Sequence, residues 1–365
     1  MFFVYLQDIL KSTTNDMSMR KRNKRLLVAL VVLLFIIGIS TYATIHTLFF
    51  KPINGQLSQS RFLYIDQDDN IDSVEQKIVK TFDIKELPKG FSILNNYKSY
   101  SQNIRTGKYK ITPDETTYTL FVKLLRGHQI PTRLVINNIR TLDQLSAKLG
   151  DQLMLGSLEF QFYFKNEDAL AKIGYTPETL PAFFIPNTYE VYWNMDMNDF
   201  IGRMSKEYNT FWNEERLKKA QKIGLTPIQV ATLASIVEEE TNDKEEKPVV
   251  AGLYMNRLKK GMPLQADPTI KFALQDFAMK RITNKDLTVN SPYNTYLNTG
   301  LPPGPIRLAT IHGLESVLNY TEHNYLYMCA KEDFSGKHSF ATNLNDHMNN
   351  ARRYWQALNK LKIYK

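Results

Sequence analysis

Thr226-Pro-Ile-Gln-Val-Ala-Thr-Leu-Ala-Ser-Ile-Val-Glu-Glu-Glu-Thr241 opens as a helix and closes on three acids. Thr at the N-cap, Pro at the first helical position and Gln three residues after the cap together form a helix-start signal. At roughly 100° per residue, with Val230 as origin, Leu233, Val237 and Ala234 cluster near 300°, 340° and 40°, and Glu239 falls opposite them near 180°. Glu238, at about 80°, lies between two alanines, and Glu240, at about 280°, between Leu233 and Ile236. A carboxyl bordering an apolar face is desolvated, which disfavours its charged form, the property a general acid needs. On this wheel Glu238 has room beside it for a substrate, while Glu240, between bulky neighbours, reads as a buried structural acid. A solvated acidic helix end is the competing reading.

Outward from this helix, a second should run from about Pro248 through Leu253 and Leu258 to Gly261, exposing Asn256 and Arg257 near its end. In Gly261-Met-Pro-Leu-Gln-Ala-Asp-Pro-Thr269, Asp267 can cap a third helix with Pro268 at its first position, whereas Gln265 meets no local structural need. Ser291-Pro-Tyr-Asn-Thr-Tyr296 and Gly300-Leu-Pro-Pro-Gly-Pro-Ile306 hold too much Pro and Gly for regular structure, and their hydroxyls and amides suit a polyhydroxylated ligand. Residues 151–220 read as helical and aromatic-rich, with Pro181 to Trp193 as a packed loop whose rings belong mostly to the core, an aromatic-lined groove for a sugar being the alternative. Strands are expected at Tyr325–Ala330, which holds the single Cys329, and around Ser339.

Toward the N-terminus, residues 60–150 read as a small module of short strands and helices. Its strands are Arg61–Ile65, Gly107–Thr112 and Thr132–Ile136, and its helices Ile71–Phe82, Thr116–Leu125 and Thr141–Leu149, with Gly127 as a helix C-cap. The expected class is therefore α+β: a small module, then a mostly helical domain over 151–365 with a few strands.

Leu26 to Phe50 contains no Asp, Glu, Lys or Arg; at ~1.5 Å per residue this run can cross a ~30 Å hydrocarbon core. It is too long for the apolar stretch of a cleaved signal, so an uncleaved single-pass anchor is expected. Residues 1–25 carry six basic and two acidic side chains, a net +4 of the chain's +9. By the positive-inside rule this tail stays cytoplasmic and the rest faces the far side of a bacterial inner membrane. The surplus charge is thus an orientation signal, and a nucleic-acid partner is not expected. A single Cys excludes a disulfide scaffold, and two His nine residues apart (His338, His347) without an H-E-x-x-H pattern argue against zinc. No nucleotide-binding glycine loop or nucleophile elbow is present. No cofactor or metal is expected.

Six motifs in order resemble the YceG-like endolytic murein transglycosylases: Ala234-Ser-Ile-Val-Glu-Glu-Glu-Thr241, Val250-Ala-Gly-Leu-Tyr-Met-Asn-Arg-Leu258, Gly261 to Thr269, Tyr293-Asn-Thr-Tyr296, Gly300 to Ile306, and His338-Ser-Phe-Ala-Thr342. The resemblance implies a LysM-like module over 60–150 and a catalytic domain over 151–365. It further implies an enzyme that cuts peptidoglycan glycan strands internally, leaving 1,6-anhydro-N-acetylmuramyl ends. Glu238, the first acid of the E-x-E-T motif, is the expected catalytic group, and Glu240 the next acid to test. Gln265, Tyr293, Asn294, Thr295, Tyr296 and His338 are the expected substrate-binding residues, and peptidoglycan synthases are expected partners. The alternative is a non-catalytic peptidoglycan-binding scaffold, which would not depend on Glu238.

Overall fold

The computed structural model describes residues 2–53, 57–279 and 281–361. It is helix-dominated with three two-stranded antiparallel sheets among the described residues, and divides into two units, Met1–Ile130 and Pro131–Lys365.

The first unit begins with α1 (Phe2–Ile45), extended by a π turn over His46–Phe50. Its stretch Arg20–Phe50 is long and apolar enough to cross a membrane, and none of its most apolar part is covered by protein. β1 (Arg61–Ile65), α2 (Ile71–Phe82), α3 (Lys89–Lys98), β2 (Gly107–Ile111) and α4 (Thr117–Arg126) follow. β1 and β2 pair from Arg61↔Ile111 to Ile65↔Gly107, which turns Leu63, Ile65, Tyr109 and Ile111 inward. The Asn70 side chain caps α2, a Thr116/Thr119 box opens α4, and Gly127 closes α4 in the left-handed region at φ 68°, as its position in the sequence predicts. The core combines aliphatic side chains with an aromatic cluster in which Phe91 and Phe121 meet edge to face at 5.5 Å.

The end of α1 is sewn into this module. The Ile53 amide donates to the Glu115 carbonyl at 2.9 Å, and Gly90 of α3 lies so close to the π turn that a Cβ there would sit 2.3 Å from the Leu48 carbonyl oxygen. Gly90→Ala is therefore expected to separate the long N-terminal helix from the module while leaving the module folded. Proteolysis near residue 50 in detergent, accelerated severalfold relative to wild type, is the check.

The second unit comprises β3 (Thr132–Ile136), α5 (Leu142–Gly150), α6 (Ser157–Lys165), α7 (Glu167–Lys172), β4 (Asn187–Val191), α8 (Met197–Phe211), α9 (Glu214–Lys222), α10 (Pro227–Glu240), α11 (Lys247–Lys259), α12 (Asp267–Leu274), α13 (Ile311–Leu318), β5 (Tyr327–Ala330), β6 (His338–Ala341) and α14 (Leu344–Lys360). Residues 132–150, which the sequence reading assigned to the small module, belong here. β3 pairs with β4 (Thr132↔Val191 to Ile136↔Asn187), and Leu134, Ile136, Leu145 and Leu149 share a core with Phe160, Phe164 and Phe200. That pairing also corrects the expected loop at Pro181–Trp193, most of which is a 3-10 turn and β4. Phe183, Phe184 and Tyr189 are core residues and offer no ring to a ligand. A long-range partner, invisible in a local pattern, made these changes.

α10 is the central helix of the other core. Val230 through Glu238 are all buried among α11, α13 and the chain around Ile306, so the helix has no solvated face over that length. Its capping box forms as the sequence predicts: the Gln229 amide donates to Thr226 Oγ1, and the Thr226 amide to Gln229 Oε1. β5 and β6 fall within or beside the expected strands and pair from Tyr327↔Ala341 to Ala330↔His338.

Candidate active site

The three glutamates that end α10 leave the helix about 100° apart and reach three different surroundings. Glu238 points into the protein. It is 7% exposed, its Oε1 accepts from Thr310 Oγ1 at 2.5 Å, and Lys247 Nζ lies 2.9 Å away, itself buried. The first turn of α13 closes over it: a Cβ on Gly313 would come within 2.5 Å of Glu238 Oε1. Glu239 turns to the opposite side, where Arg140 binds its two oxygens with two 3.0 Å hydrogen bonds and Arg307 Nη1 donates at 2.7 Å. Glu239 there borders a small pocket of about 70 Å³ beside Arg140, Lys271 and Phe277, whereas Glu240 reaches a larger polar cavity.

That cavity is a cleft of about 210 Å³ lined by α10, α11, the chain from Leu264 to Asp267, Tyr296, β5 and His338. Burial pushes the Glu240 carboxyl up to about 7, and the negative charge of Asp267 adds to the rise. The Tyr254 hydroxyl, which donates to Glu240 Oε1 at 2.6 Å, opposes it, as does the charge of Arg257. Such a group exchanges a proton near neutral pH.

The remaining expected site residues separate into two sets. Gln265, Tyr296 and His338 line the cleft with Glu240. Gln265 is held there by a left-handed backbone (φ 52°) and by its amide, which donates to the Thr295 carbonyl at 3.0 Å. The Tyr296 hydroxyl donates to Asp267 Oδ1 at 2.5 Å. Tyr293, Asn294 and Thr295 build the wall instead. Asn294 is fully buried, its amide donating to the carbonyls of Leu287 and Val289 at 2.9 and 2.8 Å while its oxygen accepts the Tyr296 amide. Thr295 Oγ1 accepts the Ala266 amide at 3.0 Å and pairs with Thr269 Oγ1 at 2.8 Å. The Tyr293 ring packs on Phe272, 4.7 Å between centroids.

The sequence reading missed several cleft residues. Arg257, expected to be exposed, is 7% exposed; its Nε donates to the Leu326 carbonyl and its Nη1 to the Leu264 carbonyl, both at 2.7 Å. Asp267, expected as an N-cap, is the first residue inside α12, with Ala266 at the cap and no side-chain cap bond. It faces the cleft instead. Tyr254, inside the Val250–Leu258 motif, is given no role of its own by that reading. Among the described residues, no group of three or more His, Cys, Asp or Glu side chains is placed to hold a metal ion.

The pattern of the YceG-like family matches residues 63–353, most of the chain. The chain belongs to the YceG-like family. Among its relatives is a Bacillus subtilis protein named endolytic murein transglycosylase, 30% identical over 301 residues that make up 78% of this chain and 82% of that one. A Streptococcus pneumoniae protein of the same name is 26% identical over 300 residues, 72% of this chain; the matched region spans about half (53%) of the pneumococcal protein. A crystal structure of a yceG-like protein from Listeria monocytogenes superposes with a TM-score of 0.54 at 26% identity, covering 80% of this chain and 99% of that one.

Proposed function

We propose that this chain is a membrane-anchored endolytic transglycosylase of peptidoglycan and that Glu240, rather than Glu238, is its acid and base. The observation that carries this assignment is a carboxyl raised to about 7 in a polar cleft that also holds Gln265, Tyr296 and His338. Glu238 is already neutralised by Lys247 and shut beneath α13. The names and identities of the relatives support the reaction class.

Protonated Glu240 donates its proton to the glycosidic oxygen between N-acetylmuramic acid and N-acetylglucosamine as the bond from that oxygen to C1 breaks. The resulting carboxylate then takes the proton of the muramyl C6 hydroxyl, whose oxygen bonds to C1 of its own ring. One carboxyl thus serves twice and is returned protonated, and the nucleophile, being part of the substrate, needs no second base. Asp267, the cleft's other carboxyl, is engaged by Tyr296. A hydrolase would use such a second acid to handle water. Mass spectrometry of products from uncrosslinked strands decides between the two: anhydro ends support the transglycosylase, reducing ends a hydrolase, and binding without cleavage the scaffold reading.

The cleavage step begins from the protonated acid, so kcat/KM is expected to be flat below pH 7 and to fall as pH rises through about 7. Tyr254→Phe removes a donor that stabilises the carboxylate, so the limb moves to higher pH. Asp267→Asn removes a repelling charge, so it moves to lower pH. A pH series on the three proteins checks the signs.

The basic residues from Arg20 to Arg25 before the apolar run support a cytoplasmic N-terminus and a catalytic unit outside the inner membrane. There it would meet nascent strands and the synthases that make them. The strand-helix-helix-strand order of β1, α2, α3 and β2 supports a LysM-like reading of the first unit. Protease accessibility from the two sides of membrane vesicles tests the topology.

A further inference from the structure

His338 enters the cleft at the start of β6, and one buried residue governs how its ring is presented. Glu246, 7% exposed just before α11, turns one carboxylate to two donors of the same residue: Oε1 accepts the His338 backbone amide at 2.7 Å, and Oε2 lies 2.9 Å from ring Nδ1. Glu246 is itself fixed. Asp243 Oδ1 accepts the amides of Glu245 and Glu246 at 2.9 and 3.0 Å, and Thr241 Oγ1 accepts the Asp243 amide at 3.1 Å. Two grips on one residue, one on the chain and one on the ring, set both the position of β6 and the rotation of the imidazole.

We propose that Glu246 is a positioning residue that locks His338 in the tautomer protonated on Nδ1, so that Nε2 meets the glycan as a hydrogen-bond acceptor. A carboxylate has no proton to offer, so the Nδ1 it contacts must carry one, and in a neutral ring the other nitrogen is then bare. Among the described residues Nε2 has no protein partner, and the ring lines the cleft. The other charged or titratable groups of that cleft are Glu240, Tyr254, Arg257, Asp267, Tyr296 and Cys329. The tyrosine hydroxyls of Tyr254 and Tyr296 are spent on Glu240 and Asp267. A bare imidazole nitrogen fits a sugar hydroxyl or the N–H of an acetamido group, and repels a carbonyl or carboxylate oxygen. The glycan as ligand rests on the transglycosylase reading; the grip of Glu246 on the ring does not.

The test uses the full chain in detergent micelles with 15N-labelled histidine. At pH 8.5, where a free imidazole is neutral, long-range 15N–1H spectra report which ring nitrogen holds the proton, and His338→Phe assigns the signal. The expected result is a proton on Nδ1 in the wild type, and redistribution toward Nε2 in Glu246→Gln, whose amide oxygen can satisfy only one of the two donors. In strand cleavage, Glu246→Gln is expected to raise KM about tenfold with kcat nearly unchanged, the signature of binding lost equally from ground and transition states. The same substitution is expected to add nothing in a His338→Phe background. A wild-type proton on Nε2, or an equal cost of Glu246→Gln with and without His338, would overturn the proposal. If the chain cleaves no glycan, the function fails, and the ring spectrum still decides the role of Glu246.

Discussion

Glu240→Gln is expected to lower strand cleavage by about 10²–10⁴-fold, toward the upper end because the same carboxyl gives and takes the proton. The substitution keeps the volume and the Tyr254 contact, and it places a neutral group where burial already disfavours charge. Folding should therefore survive, and circular dichroism with a thermal melt would show it. Glu238→Gln can also reduce activity, by a different route, since it leaves Lys247 buried without its partner. The double variant Glu238→Gln, Lys247→Met separates the routes by removing both charges. It should cleave within about tenfold of wild type, whereas Glu240→Gln keeps its full loss of about 10²–10⁴-fold. A dead double variant beside a working Glu240→Gln would return the catalytic role to Glu238.

Lys247→Met alone is expected to destabilise the second unit strongly. Lys247 and Glu238 are both nearly covered, and removing the ammonium leaves a carboxylate with only Thr310 beside it. Breaking such a pair costs about 3–5 kcal/mol. The expected readout is a thermal transition lowered by about ten degrees for a unit of this size. Pairing the change with Glu238→Gln should recover most of the loss, since a neutral pair of similar volume avoids the desolvation cost of both ions. A single variant that melts within two degrees of wild type would mean that the pair contributes little.

Local periodicity and capping made much of the chain legible. The long apolar helix near the N-terminus, the helix start at Thr226, the stop at Gly127 and the strands near Cys329 and Ser339 depend on near neighbours along the chain, and they formed where expected. The elements expected over 60–150 formed as well, but the last strand and helix of that stretch and most of Pro181–Trp193 found other company, because β3 and β4 are strands through each other, more than fifty residues apart.

The choice among the acids shows the same division at the scale of the site. A helical wheel states the direction of each side chain but not what occupies that direction. The small alanines beside Glu238 leave space that α13 fills, with Gly313 permitting the approach and Lys247 closing the charge. The bulky neighbours of Glu240 turn inward to the core, and the carboxyl, near the end of the helix, extends beyond them into the cleft. Asn294 and Thr295 belong to the right loop, but their polar groups are consumed by backbone and by Thr269, a matter of hydrogen-bond accounting that no spacing rule contains.

By itself the sequence determined the α+β class, the long apolar N-terminal helix, the family and the helix that carries the acids, because hydrophobic period, caps and motif order are properties of adjacent residues. Only the tertiary structure decided which glutamate meets the cleft, which loop residues line it and which residue orients His338. Burial and pairing arise between segments far apart in the chain, and those two quantities set whether a carboxyl is an ion in a lock or an acid ready to give its proton.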